Sequence, residues 1–216
     1  MQKSLKYSLL SIMAIIPCII IVVSIISYQK RVEKMYNFGL DIAQSLVVVH
    51  KSFVPNKTFS SQSKGMDSVV EEFQIGKMKL EEHKKYMEKW IYSKKEFRDI
   101  AKKIIESLDL LIEFMDDAIN HGFYDKHYFL VSSAKFTFGR NKLLNIAIDY
   151  TKLITKKEKF GKIYLSKKQA KKIIDYIEMN FKDDFDSKEN TKPAEVWGAL
   201  LIRNYLKYGT KDLLPH

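Results

Sequence analysis

The sequence predicts an all-α protein: a single N-terminal transmembrane helix that continues into a soluble multi-helix bundle. Three observations predict it. Apolar residues recur at steps of three and four through most of the chain. A stretch of 22 residues near the start carries no charge. Glycine and proline, 8 and 4 among 216 residues, are too few for many short strands joined by tight turns.

From Tyr7 to Tyr28 twelve residues are Ile, Leu or Val. At 1.5 Å per residue this helix is roughly 33 Å long, enough to cross a hydrocarbon core. Twelve such side chains favour insertion by roughly 4–7 kcal/mol. Tyr7 and Tyr28 stand where an aromatic belt would. Pro17 is tolerated in lipid and kinks the expected helix. A cleaved signal peptide is the competing account, but Val22 and Ser24 are the best small pair for cleavage and the apolar run continues past them. The residues before Cys18, Ile15-Ile16-Pro17, form no lipidation box. A buried core helix seldom exceeds about 14 uncharged residues. Lys3 and Lys6 flank one end and Lys30, Arg31 and Lys34 the other, close to a tie. The expected topology is a signal anchor with the C-terminal domain on the outer side, periplasmic or extracellular.

The expected organisation is a short tail (1–6), the anchor (7–28), a juxtamembrane helix (29–49), a loop (50–65), a helical bundle domain (66–210) and a C-terminal tail (211–216). Val32, Met35, Gly39, Ile42, Leu46 and Val49 carry the helical pattern out of the membrane. Pro55, Asn56, four serines and Gly65 mark the loop. Asp67 suits the cap of a helix whose seam is Val69, Phe73, Gly76, Leu80, His83, Met87 and Trp90. Ser93 with Glu96 reads as a capping box. The helix it opens has the seam Phe97, Ala101, Ile104, Leu108, Leu111, Met115 and Ala118, and Gly122 fits just past its end.

A further helix is expected over about 125–159, with Phe129, Phe136, Leu143, Ala147, Tyr150 and Ile154 inward and Gly161 ending it. Lys162–Leu165 is the one candidate strand, too short to found a sheet. Ser166 with Gln169 is a second capping box, before a helix that turns Ala170, Ile174, Ile177 and Phe181 inward. Residues 183–192 form a polar connector. Pro193 suits a first helical turn, with Val196, Leu200, Leu201 and Tyr205 inward before Gly209.

The net charge is +11, and 33 of the 37 cations are lysine. The arginines are Arg31, Arg98, Arg140 and Arg203. Arginine is the residue of bidentate phosphate reading, so this balance points to a solubilising lysine surface more than to a dedicated nucleic-acid binder. Cys18 lies inside the apolar stretch. The rest of the chain therefore has no intramolecular disulfide, cysteine zinc site or thiol nucleophile.

Two charge patterns are the candidate binding surfaces. In 94–117 the first turns carry Lys94, Lys95, Arg98, Lys102 and Lys103, and the later turns only acids. This order opposes the helix macrodipole. Glu106, Asp109, Glu113 and Asp116 share one face, as a site for a cation or basic partner or as a solvated face beside a lysine-rich neighbour. In 152–172 nine lysines, among them Lys156, Lys157, Lys159, Lys167, Lys168, Lys171 and Lys172, stand against Glu158 alone. They suit anionic headgroups, another polyanion, the acidic stripe itself, or plain solvent.

The histidines, His50, His83, His121, His127 and His216, match no zinc spacing. Asp117, His121 and Asp125 are four apart, but Gly122 interrupts them. His83, on an apolar seam, reads as a core histidine. Nucleophile-elbow, phosphate-loop and Walker patterns are absent, and no motif points to a known family. Asn56-Lys57-Thr58 is a sequon. No catalytic residue, metal or cofactor is predicted.

These readings converge on a membrane-anchored, non-catalytic interaction or tethering module. Lipid is met through residues 7–28, and a protein partner is chosen by the charged helices, with anionic lipid or another polyanion as a further partner. Two alternatives stand beside it. One is an anchored hydrolase using the carboxylates of 106–117 with His121 or His127. The other is a helical domain that senses an apolar ligand.

Overall fold

The structure, a computed structural model, describes residues 2–53, 66–121, 126–156, 163–186 and 192–209. Side chains are described from residue 16 in the first of these stretches, 70 in the second and 130 in the third. Six α-helices follow in order: α1 (Gln2–Phe53), α2 (Met66–Met87), α3 (Lys95–His121), α4 (Lys126–Ile154), α5 (Lys167–Asp186) and α6 (Ala194–Tyr208). The fold is all-helical, as the periodicity requires.

The helices pack in the order α2, α3, α4, α6, α5, an open arc in which, among the described residues, α5 does not reach α2, and α1 packs against every member. Met35, Phe38, Ile42, Ala43, Leu46 and Val49 of α1 are buried in one continuous core. The bundle therefore begins well before residue 66, and its central element is the helix expected to lie beside the membrane. Gly39 is required by a close approach: a Cβ there would collide with the Tyr150 hydroxyl, which reaches the Met35 carbonyl at 3.3 Å.

The seams of α2 and α3 fall as their spacing requires, with Leu80, His83 and Met87 on one and Phe97 through Ala118 on the other buried. Helix α4 ends at Ile154, earlier than the expected 159. Thr155 turns out of it into an isolated antiparallel bridge with Ile163, and the Tyr164 amide donates to the Ile154 carbonyl at 2.9 Å. On α5 Ala170, Ile177 and Phe181 are buried as expected, but the fourth buried position is Ile173, with Ile174 half-buried. On α6 the buried stripe is Val196, Ala199, Ile202 and Tyr205, with Leu200 and Leu201 at its margins.

The two capping boxes behave differently. Ser166 and Gln169 exchange hydrogen bonds at 3.2 and 3.0 Å and start α5. Ser93 does not cap α3; its hydroxyl is buried without a partner, and Glu96 pairs instead with Arg31 of α1 at 3.2 Å.

Pro17 lies inside α1. Beyond the bundle, Ile16, Ile19–Val23, Ile25, Ile26 and Tyr28 are each 45–59% exposed. Among the described residues no helix is long and apolar enough to cross a membrane. The side chains of residues 7–15, the first part of the expected span, lie outside the described residues.

Candidate functional site

The acidic face of α3 lies between two rows of lysines. Lys84 and Lys77 of α2 reach Asp109 and Asp116, each at 2.5 Å. Lys142 and Lys135 of α4 reach Glu106 and Glu113 at 2.8 and 3.2 Å. In both rows a step of seven along the lysine helix matches a step of seven backwards along α3, the register of antiparallel neighbours. The Lys77 and Lys84 ammoniums are held above their ordinary range chiefly by their hydrogen bonds to Asp116 and Asp109. The acids themselves remain 40–58% exposed, so each pair contributes at most about 1 kcal/mol. These neighbours offset the charge order along α3 that opposes its dipole. None of the described lysines of 152–172 joins this partner row.

Among the described residues, Lys156 and Lys172 of that later run lie near the point where α1 leaves the bundle. Gln169 at the start of α5 donates to Glu33 at 3.1 Å. Tyr164 packs against Tyr28, with Arg31 and Lys156 against its ring. Lys172 lies over Tyr36. Lys167, Lys168, Lys171 and Lys172 are all exposed. None of these four pairs with a carboxylate among the described residues. Lys157 and Lys159 lie outside the described residues, as does the sequon.

Apart from His83, the polar groups that do converge were not singled out by sequence. Asp41, buried on α1, accepts from Tyr86 at 2.7 Å, Trp90 Nε1 at 2.6 Å and Lys89 at 2.8 Å. Burial pulls the Lys89 ammonium down, but Asp41 and Tyr86 hold it above its ordinary range. One turn on, Ser45 Oγ meets His83 Nε2 at 2.7 Å and donates to the Asp41 carbonyl at 2.9 Å. Because that carbonyl takes the serine proton, neutral His83 is the donor to Ser45. Burial above all, with Lys89 in support and Asp41 opposing, lowers the His83 imidazole to about 4. Ser, His and Asp thus lie close together, yet the imidazole is donating where a serine nucleophile would need a base. These contacts join α1 to α2 and the turn that follows it.

A second cluster ties α1, α4, α5 and α6. Arg140 binds the fully buried Glu195 through both carboxylate oxygens. His50 lies 3.5 Å from Glu195 and 3.2 Å from Asp184. Burial raises the Glu195 carboxyl, but His50 and Arg140 together outweigh it and hold the group below its ordinary value. A signal for this cluster was present in the scarcity of arginine. Three of the four arginines, Arg31, Arg140 and Arg203, take carboxylates across helix pairs, Arg203 on Glu178 at 2.7 Å.

Asp117 is bonded by Ser132 at 2.8 Å and Lys135 at 3.0 Å, while Asp125 and the side chain of His127 lie outside the described residues. Among the described residues no group of three or more His, Cys, Asp or Glu is arranged to hold a metal ion. No protein-family model, curated protein or solved structure matches the chain.

Proposed function

We propose that the chain is a single-pass membrane-anchored helical module, without catalysis of its own, that holds an interaction surface close to the bilayer. The observation that carries this reading is the continuity of α1. One helix presents Ile16–Tyr28 unburied on all sides and then becomes the centre of the bundle. An apolar circumference of this length is unfavourable in water, and no single partner helix would cover it. A hydrocarbon environment covers all of it, once residues 7–15 are counted in the span. The bundle then stands outside the bilayer on its own central helix, and the anchor orients it with the C-terminal side outward.

The surface offered to a partner is the row Lys167, Lys168, Lys171 and Lys172 rather than the acidic stripe, whose charge is taken up by α2 and α4. The partner chemistry is anionic, and a protein with an acidic face fits it. The hydrolase alternative needs carboxylates converging on a substrate; the four acids of α3 are instead strung along the helix, each on a lysine.

The test is flotation of the full-length chain with phosphatidylcholine vesicles, followed by alkaline carbonate extraction. The reading expects the chain to float and to resist extraction. Recovery in the aqueous fraction overturns it. For the partner surface, poly-glutamate serves as an acidic probe. The vesicle-bound chain should bind it weakly above about 0.2 M salt and strongly below. Salt-independent binding would remove the electrostatic part of the proposal.

A further inference from the structure

We infer that the groove where α1 enters the bundle is a headgroup site for an anionic phospholipid. The inference rests on the membrane reading of α1 and adds a ligand class to it. The groove, about 400 Å³, runs between α1 and the start of α3. Its outer end is apolar, formed by Val23 and Ile26 on the exposed turns of α1, with buried Phe97 at its floor. Its inner end is cationic, formed by Lys30, Lys34 and Lys94.

The charge there is largely uncompensated. Arg31, also on the wall, is paired with Glu96. Lys34 is held over the rings of Phe97 and Trp90 at 5.5 and 5.8 Å. Lys30 and Lys94 are exposed and have no acidic partner among the described residues. Two free ammoniums facing one groove attract a phosphate as point charges.

Depth agrees with charge. With the hydrocarbon boundary at Tyr28, Lys30 and Lys34 stand roughly 3 and 9 Å beyond it along the helix. The headgroup layer is about 5–7 Å deep on each side. Both ammoniums reach it on flexible stems, while Val23 and Ile26 lie below the boundary, beside acyl chains. An apolar lower end joined to a cationic upper end has the polarity of one phospholipid with a net negative head. A zwitterionic head would bring its own ammonium against the lysines.

The experiment uses the full-length chain in vesicles of phosphatidylcholine with phosphatidylglycerol as the sole anionic lipid. Lipids retained on the released protein are counted by native mass spectrometry. The wild type should retain phosphatidylglycerol in excess over its share of the bilayer. Lys30→Gln and Lys94→Gln should each reduce that enrichment about fivefold, and the double variant further. Lys182→Gln on α5, at the opposite end of the bundle, should leave it unchanged. Equal retention of both lipids by the wild type, or enrichment that survives the double variant, overturns the inference while leaving the anchor intact. Displacement of the lipid by inorganic phosphate would assign the groove to a free anion and overturn it too. Failure to float with phosphatidylcholine alone would sink the anchor, and this site with it.

Discussion

Residues 16–28 and 35–50 of α1 are two stretches of one uninterrupted helix, the first apolar nearly all round and the second buried on most sides, and they differ in what lies between the apolar residues. The inner stretch carries Asp41, Ser45 and His50, all buried, and neighbouring helices supply each with a polar contact. The outer stretch carries no charged or imidazole side chain. A protein interior can satisfy polar groups, because other helices bring donors and acceptors to them. Lipid brings none. The polar residues within an apolar helix therefore indicate which environment it was selected to meet, and under the proposed anchor α1 meets two.

The largest expected effects separate these stretches. Phe38 packs against Trp90, Phe97 and Tyr150. Phe38→Ala should cost about 3–5 kcal/mol of folding stability in chemical denaturation. Val22→Ala, on the outer stretch, should leave the bundle's transition within about 0.5 kcal/mol. Equal losses at both positions would show that the outer stretch packs on protein.

Arg140→Met should cost a comparable 3–5 kcal/mol, roughly, because Glu195 is left buried without its partner. Replacing both with apolar residues should recover much of that loss. Recovery of nothing would mean that His50 and Asp184 depend on the pair.

Acid tests the polar contacts of the inner stretch from another direction. His83 binds a proton near 6.5 when unfolded and near 4 when buried. Between those values the unfolded chain holds more protons, so stability falls as the pH drops from 6.5 towards 4. The loss from this residue is on the order of 3 kcal/mol, complete below the folded value. His83→Gln should flatten the pH dependence in that window. A variant with the wild-type slope would contradict the assignment.

The smallest effect lies on the surface. A double-mutant cycle between Lys84 and Asp109 should give less than about 1 kcal/mol and shrink with added salt.

What was legible in the sequence was whatever a helix expresses along its own length. The seams of α2 and α3, the Ser166 box and the core position of His83 all follow from local spacing. What was not legible depended on another helix. Glu96 left its capping box because Arg31 competes for it from α1. The buried stripe of α6 centres on Ala199 and Ile202 rather than on the larger Leu200 and Leu201. Gly198 shows the reason: a Cβ there would already be in van der Waals contact with Ala147 of α4 and Leu46 of α1, leaving no room for a larger side chain. That close approach favours small residues facing inward. The charge runs were legible, but the partners of the acidic run were not, because the matching lysines are spread along two other helices.

The most direct test uses the one thiol the chain possesses. Cys18 lies near the middle of the stretch between Tyr7 and Tyr28 and is exposed on α1. With the full-length chain in phosphatidylcholine vesicles, a water-soluble maleimide should leave Cys18 unmodified until detergent dissolves the bilayer. A cysteine placed at Lys34 in a Cys18→Ser background should react at once. Prompt labelling of Cys18 without detergent would contradict the account.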